Sequence, residues 1–423
     1  MVELDSALKE KLLVDVEAAE ARLVSTLQDL VRFPTVNPPG NERAHQEYVA
    51  ARLQEMGMEV QIAAVDPERP NIVGLLPGAG GGKNLLHYAG HADVVEIGDE
   101  SQWDYPPFGG EVHDGWLYGR GAVDHKAPIA ASLIALETLI KNDVRLAGDI
   151  LFMVPVDEEK GSTLGTKYLL EQGLLYGDMG VYASAGFLDE VLIACGGSLV
   201  FEITVHGGPS RTGWGALGVN AFEKAAEVVL ALQKMTFEKV NPFWEPEFND
   251  ALKPTRTGTL AVTGMIGGEV YNGKAHTCVI RGGRRLIPNE TLDETKGQIE
   301  AVLEIISQND PAFQAEIAYL KGVHGINTPP DDPLVAAVEG AIEDIGLEPR
   351  IGGSSGGFDA RWIVEKLGMP FVSYGAGWNG PDGKLCLHAP NEAISVENLV
   401  GMAKAYTMLM IRACGLADGT KKG

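Results

Sequence analysis

The chain has 423 residues, long for a single hydrophobic core and suited to two domains. An apolar share of 45% with mixed charge marks a globular protein, and no apolar run approaches the roughly eighteen residues of a membrane span. With 58 acidic against 34 basic residues the net charge is −24, which argues against nucleic acid and anionic membranes as partners and requires a local Arg or Lys for any anionic substrate.

Met1-Val2-Glu3-Leu4-Asp5 lacks a basic region followed by an apolar stretch, so a cytoplasmic location is expected. The four cysteines, Cys195, Cys278, Cys386 and Cys414, form no CxxC pair and suit a reducing compartment, each as a small packing residue. Spaced Leu and Val over residues 6–33 predict one amphipathic first helix, followed by a turn at Asn37-Pro38-Pro39-Gly40. Asn71–Leu76, Leu85–Gly90 and Asp149–Val156 read as buried strands and His125–Ile140 as a helix, which together predict an α/β sheet domain.

The pattern changes near Gly196-Gly197. Strands over Leu199–Val205, Thr257–Val262 and His276–Leu286, with helices over Ala221–Lys234 and Leu292–Ser307, predict an α+β insert. A helix at Pro333–Ile345, a Gly-rich turn at Gly352–Gly357, a strand at Met369–Tyr374 and a last helix capped by Ser395 resume the α/β pattern. The expected division is 1–196 with 320–423 for the α/β domain and 197–319 for the insert.

Single His, Asp and Glu residues gather at predicted strand ends, where loops of an open sheet converge on one crevice. They are His91 and Asp93 in Gly90-His91-Ala92-Asp93, Asp124 opening a helix, Glu158 and Glu159 in Asp157-Glu158-Glu159, and His388 in His388-Ala389-Pro390-Asn391-Glu392. Nitrogen and oxygen donors without Cys suit a hydrolytic divalent cation, Mn or Zn, with Co as a further option. Asp93, two residues after His91, is positioned to accept the proton of the ring's second nitrogen. Of the two adjacent glutamates, one can bind metal while the other takes a proton from the attacking water.

The order of these elements, with Trp103, Phe108-Gly109, Tyr118 through Lys126, Gly267-Gly268, Asn272, Arg285 before Pro288, and Gly357 through Arg361, resembles the metallopeptidase family of carboxypeptidase G, aminoacylase, acetylornithine deacetylase and succinyl-diaminopimelate desuccinylase. The resemblance covers nearly the whole chain. It implies an α/β metallopeptidase-like catalytic domain with an inserted α+β lid/dimerisation domain, hence a homodimer. It also implies His91 and Asp124 on one metal, Asp124, Glu159 and His388 on another, Glu158 as general base, and Arg285, with Asn272, as substrate contacts.

Two departures bear on function. Ser184 stands where the resemblance implies a metal-binding carboxylate, so one ion per subunit is expected, held by Asp124, Glu159 and His388. Arg211, in Gly207-Gly208-Pro209-Ser210-Arg211, stands where it implies an oxyanion-stabilising His. A guanidinium fork fits a carboxylate or nitro group, so the expected substrate is a small anion that Arg211 and Ser184 contact. The reading these departures favour is hydrolytic deamination of an electron-poor aromatic amine, with ammonia as product. The alternatives are hydrolysis of N-acyl amino acids or peptides, and an inactive homologue kept as a binding protein. A serine-hydrolase reading of Gly352-Gly353-Ser354-Ser355-Gly356 with Asp382 and His388 leaves His91, Asp124 and Glu159 unexplained.

Overall fold

The computed structural model describes residues 4–208, 218–244, 255–268, 273–354 and 356–418. The chain forms two compact units: Met1–Ile193 with Thr328–Gly352 and Trp362–Gly423, and Ala194–Asn327 with Gly353–Arg361. The boundary expected at 319/320 cuts through the strand Gln314–Val323, which pairs along its length with Ser198–His206 and so stays with the insert. Sequence reading assigns this segment to no element, although its alternating polar and apolar residues are the pattern of a strand packed on one face.

In the first unit, strands lie side by side in the order Glu59–Ala63, Asn71–Leu76, Ile150–Val154, Leu85–Tyr88, Met179–Ser184, Phe371–Gly375 and Glu190–Cys195. Leu85–Tyr88 is parallel to both of its neighbours, and Phe371–Gly375 is parallel to Met179–Ser184. These four strands are buried throughout, as expected of parallel strands covered on both faces, and their carboxyl ends point the same way. His91, Glu158 and Ser184 therefore emerge on one edge of the sheet.

The helix Lys126–Lys141 is apolar on all sides and buried, and it packs against the equally buried Val396–Cys414, whose N-cap Ser395 accepts from Asn398 N. The single first helix expected over 6–33 is two helices, Ser6–Ala18 and Glu20–Val31, because Ala19 leaves the helical conformation at ψ 3°. The Gly-rich segment expected as a turn begins as the strand Arg350–Ser354. A small antiparallel sheet joins Ala393–Ser395 to Trp116–Tyr118 and Glu111–His113. It places the chain just before Asp124 beside the chain just after His388.

The second unit is an antiparallel sheet in the order Thr259–Gly267, Thr277–Arg285, Ser198–His206 and Gln314–Val323. Its strands alternate between buried and exposed residues, so one face is packed. That face, with Leu199, Phe201, Ile203, Val205, Cys278 and Ile280, meets Ala225, Val228, Leu232 and Ile299 of the helices Ala221–Gln233 and Leu292–Asn309. The latter helix opens with a reciprocal capping box between Thr291 and Glu294. All four cysteines are free and buried. Among the described residues no helix is long and apolar enough to cross a membrane.

Candidate active site

Asp124 is the hub. Its Oδ1 lies 3.1 Å from His91 Nε2 and 3.3 Å from His125 Nε2, while its Oδ2 lies 3.0 Å from His388 Nε2. Glu159 Oε1 sits 3.4 Å from His388 Nε2, yet this buried oxygen makes no hydrogen bond. Two trios of donors result, His91 with Asp124 and His125, and Asp124 with Glu159 and His388, each with ligand atoms within 4.8 Å of one another. That is near the spacing of ligands about 2.1 Å from a common ion. Three imidazoles turned toward one carboxylate, with the buried Glu159 Oε1 beside one of them and outside hydrogen-bond geometry, fit a divalent cation.

Each donor is held from behind. His91 follows the strand Leu85–Tyr88, and its Nδ1 donates to the main-chain carbonyl of Asp93 at 2.8 Å. The Asp93 carboxylate, expected to take that proton, lies 3.6 Å away. It accepts instead from the main-chain N–H groups of Glu158 and Glu159, at 3.1 and 3.2 Å, and from Asn37 Nδ2 at 2.8 Å. A negative group thus caps the short turn Glu158–Lys160, whose preceding residue, Asp157, has a left-handed φ of 66°. Arg69, paired in two places with Glu42, also reaches Asp157, so the loop is anchored by buried charges.

Asp124 follows the tight Gly119-Arg120-Gly121 turn. Gly121 has φ +85°, and a Cβ there would come within 2.8 Å of Val94, so only glycine fits without movement. The Val123 and Asp124 N–H groups both donate to Glu392 Oε1, at 2.8 and 3.0 Å, and Glu392 Oε2 accepts from Arg120 Nη1 at 2.6 Å. Arg120 Nη2 donates to the carbonyl of His388, an exposed residue with a left-handed φ of 59°. One fully buried ion pair therefore positions both Asp124 and His388.

The electrostatics follow from this crowding. Burial opposes ionisation of Asp124, but His125, His388 and His91 outweigh it and hold its carboxyl well below the usual range. Asp124 and Glu159 lift His388 to about 10. Burial pushes His91 down, and the carboxylates of Asp124, Asp93 and Glu158 reverse this and raise it well above its ordinary value. Both shifts favour the protonated imidazoles, with which a cation would compete.

The structure brings together His91, Asp93, Asp124, Glu158, Glu159 and His388. Glu158 is partly exposed, with Oε2 4.0 Å from His91 Nε2. Ser184 is buried, and its hydroxyl donates to the Ala185 carbonyl at 2.9 Å and lies 2.6 Å from Ser373 Oγ, so its hydrogen-bonding capacity is used within the sheet rather than offered to a substrate. Arg285 is exposed at the end of its strand in the second unit. Arg211 and Asn272 lie outside the described residues. Asp382, the acid of the serine-hydrolase reading, caps Lys384 N in an exposed turn, while His388 faces Asp124 and Glu159.

Sequence reasoning missed His125, taken only as the start of a helix, and the Glu392–Arg120 pair. Adjacency to Asp124 was the available signal for His125. Glu392 had none beyond its place in the His388 motif.

Comparison with known proteins accords with this geometry. The peptidase family M20/M25/M40 matches residues 87–412. Over 430 residues, 94% of this chain and 96% of the relative, the chain is 27% identical to the N-formyl-4-amino-5-aminomethyl-2-methylpyrimidine deformylase of Bacillus subtilis (strain 168). Its fold is similar to that of aminopeptidase PepT from Bacillus cereus ATCC 10987, with a TM-score of 0.74 at 21% identity over 93% of this chain and 98% of that one. It is also similar to a dinuclear metal binding peptidase from Bacillus subtilis, with a TM-score of 0.71 at 18% identity over 95% and 100%. Matched from the strand that carries His87 to Arg412 in the final helix, the chain belongs to the peptidase family M20/M25/M40 and is a metal-dependent hydrolase acting on C–N bonds.

Proposed function

We propose that the protein hydrolyses the amide C–N bond of an N-formyl or short N-acyl amine, with Glu158 as general base. The observation that carries this reading is Glu158 itself. Its carboxylate lies 4.0 Å from His91, partly open to solvent, on a turn whose N–H groups are held by Asp93. Asp124, Glu159 and His388 would hold Mn or Zn, with Co as a substitute. Such a cation, when bound, lowers the pKa of a water molecule and polarises a carbonyl oxygen. Glu158 takes a proton from the attacking water as its oxygen bonds to the acyl carbon, and returns it to the nitrogen as the C–N bond breaks. The products are a carboxylic acid and an amine. The amide class is supported by the name of the deformylase relative, matched over nearly its full length.

A second reading, deamination of an electron-poor aromatic amine such as 5-nitroanthranilate, rests on Arg211 replacing the His that the resemblance implies. The two readings release different products. Incubation of the metal-loaded enzyme with an N-formylated aminomethylpyrimidine, an N-acyl amino acid and 5-nitroanthranilate, with formate, acyl acid and ammonia each assayed, separates them. Glu158→Gln should lower turnover of the accepted substrate about 10²–10⁴-fold with metal content unchanged. Near-full activity in that variant excludes the role given to Glu158. A homodimer through the insert belongs to the same proposal, and sedimentation equilibrium tests it.

A further inference from the structure

We propose that His125 is the third protein ligand of a second divalent-cation position, formed with His91 and Asp124, in a chain where Ser184 supplies no carboxylate. The inference deepens the hydrolase reading above and rests on it. His91 Nε2 and His125 Nε2 both face Asp124 Oδ1, at 3.1 and 3.3 Å, with ring centroids 4.5 Å apart and the rings inclined at 62°. All three residues are buried. Two imidazoles converging on a single carboxylate oxygen exceed what that oxygen needs in a hydrogen-bonded core, and they form three corners of a coordination shell.

The outer nitrogens fix the orientation. His91 Nδ1 donates to the Asp93 carbonyl at 2.8 Å, which leaves the Nε2 lone pair turned inward. His125 Nδ1 lies 3.3 Å from the Tyr182 hydroxyl, whose oxygen can accept its proton and leave Nε2 equally free. Each imidazole thus has the outer partner that metal-binding histidines require. Tyr182 belongs to the strand Met179–Ser184, so the strand that ends without an acid holds the replacement ligand through its penultimate inward-facing side chain.

The donor set defines the cation. Two imidazole nitrogens and a share of one carboxylate carry little negative charge, which favours Zn(II) or Co(II) over Mn(II) or Mg(II). The position containing Glu159 has a second carboxylate and binds more tightly. On this proposal the chain takes two ions of unequal affinity, where Ser184 alone led to an expectation of one.

The test is titration of the stripped full-length protein with Co(II), followed by its visible absorption, together with Zn content after dialysis. Two equivalents of unequal affinity are expected in the wild type. His125→Ala should lose the weaker one and keep the tighter one, and His388→Ala should weaken the tighter one. Anomalous scattering at the zinc edge from wild-type crystals should place an ion within bonding distance of His125 Nε2, a result independent of how the variants fold. One equivalent in the wild type, or two in His125→Ala, overturns the proposal while leaving the Asp124–Glu159–His388 position standing. A wild type that binds no ion at all overturns both.

Discussion

Glu392→Gln removes one charge from a fully buried pair while keeping the size of the side chain. The wild-type carboxylate accepts the Val123 and Asp124 N–H groups on one oxygen and Arg120 Nη1 on the other. A glutamine amide offers one acceptor and one donor. If its oxygen faces the two N–H groups, its NH₂ is pressed against Arg120; if it is flipped, Arg120 is satisfied and the two amides lose their partner. Burial raises Glu392 even with Arg120 beside it, so the pair itself adds little net stability. Removing one partner is a different matter, because Arg120 is 1% exposed and would be left as an uncompensated buried charge. The expected loss is about 3–5 kcal/mol, which at roughly 2–4 °C per kcal/mol lowers Tm by about 6–20 °C. Scanning calorimetry of the metal-free protein measures it. Because the same carboxylate orients Asp124, metal affinity should also fall about 10–100-fold. A variant that melts within about 2 °C of wild type and keeps its affinity would refute the positioning role.

His87, buried on the strand Leu85–Tyr88 with Nε2 2.7 Å from Ser132 Oγ, is pushed down to about 3 by burial. Its unfolded value is near 6.5, so the unfolded chain binds the extra proton and stability falls as the pH drops. Between pH 6.5 and 4.5 this one group should cost about 2 kcal/mol. Urea unfolding of His87→Asn should show a correspondingly flatter acid limb, and parallel profiles would contradict the assignment. For His388, raised to about 10 by Asp124 and Glu159, the sign is opposite. Its contribution to the metal-free protein is complete below about pH 6.5 and is lost as the pH rises through 10. Metal binding should accordingly strengthen with pH and release protons, measured by calorimetry in buffers of different ionisation enthalpy; proton-neutral binding would count against it.

What was legible in the chain follows from how each feature is encoded. Buried parallel strands are written as short apolar runs, so the positions of His91 and Glu158 just past Leu85–Tyr88 and Ile150–Val154 could be read directly. The edge strand Gln314–Val323 alternates and was divided by the expected domain boundary. Asp93 was recognised as important, but the division of labour between its main-chain carbonyl and its carboxylate depends on a 0.8 Å difference that no motif records. His125 was hidden by its neighbour, since an Asp opening a helix already explains the local pattern. Glu392 and Arg120 are 272 positions apart, and their pairing exists only once the small sheet has formed.

That small sheet also sets a schedule for synthesis. Trp116–Tyr118 leaves the ribosome long before its partner Ala393–Ser395, and the whole insert is translated between them. Until the partner arrives, the Val123 and Asp124 amides lack Glu392, and Asp124 and Glu159 lack His388. The first unit stays open along one seam until Ala393–Ser395 emerges. Asp124, Glu159 and His388 come together only after Ala393–Ser395 has been made, so an ion held by these three side chains would be acquired late.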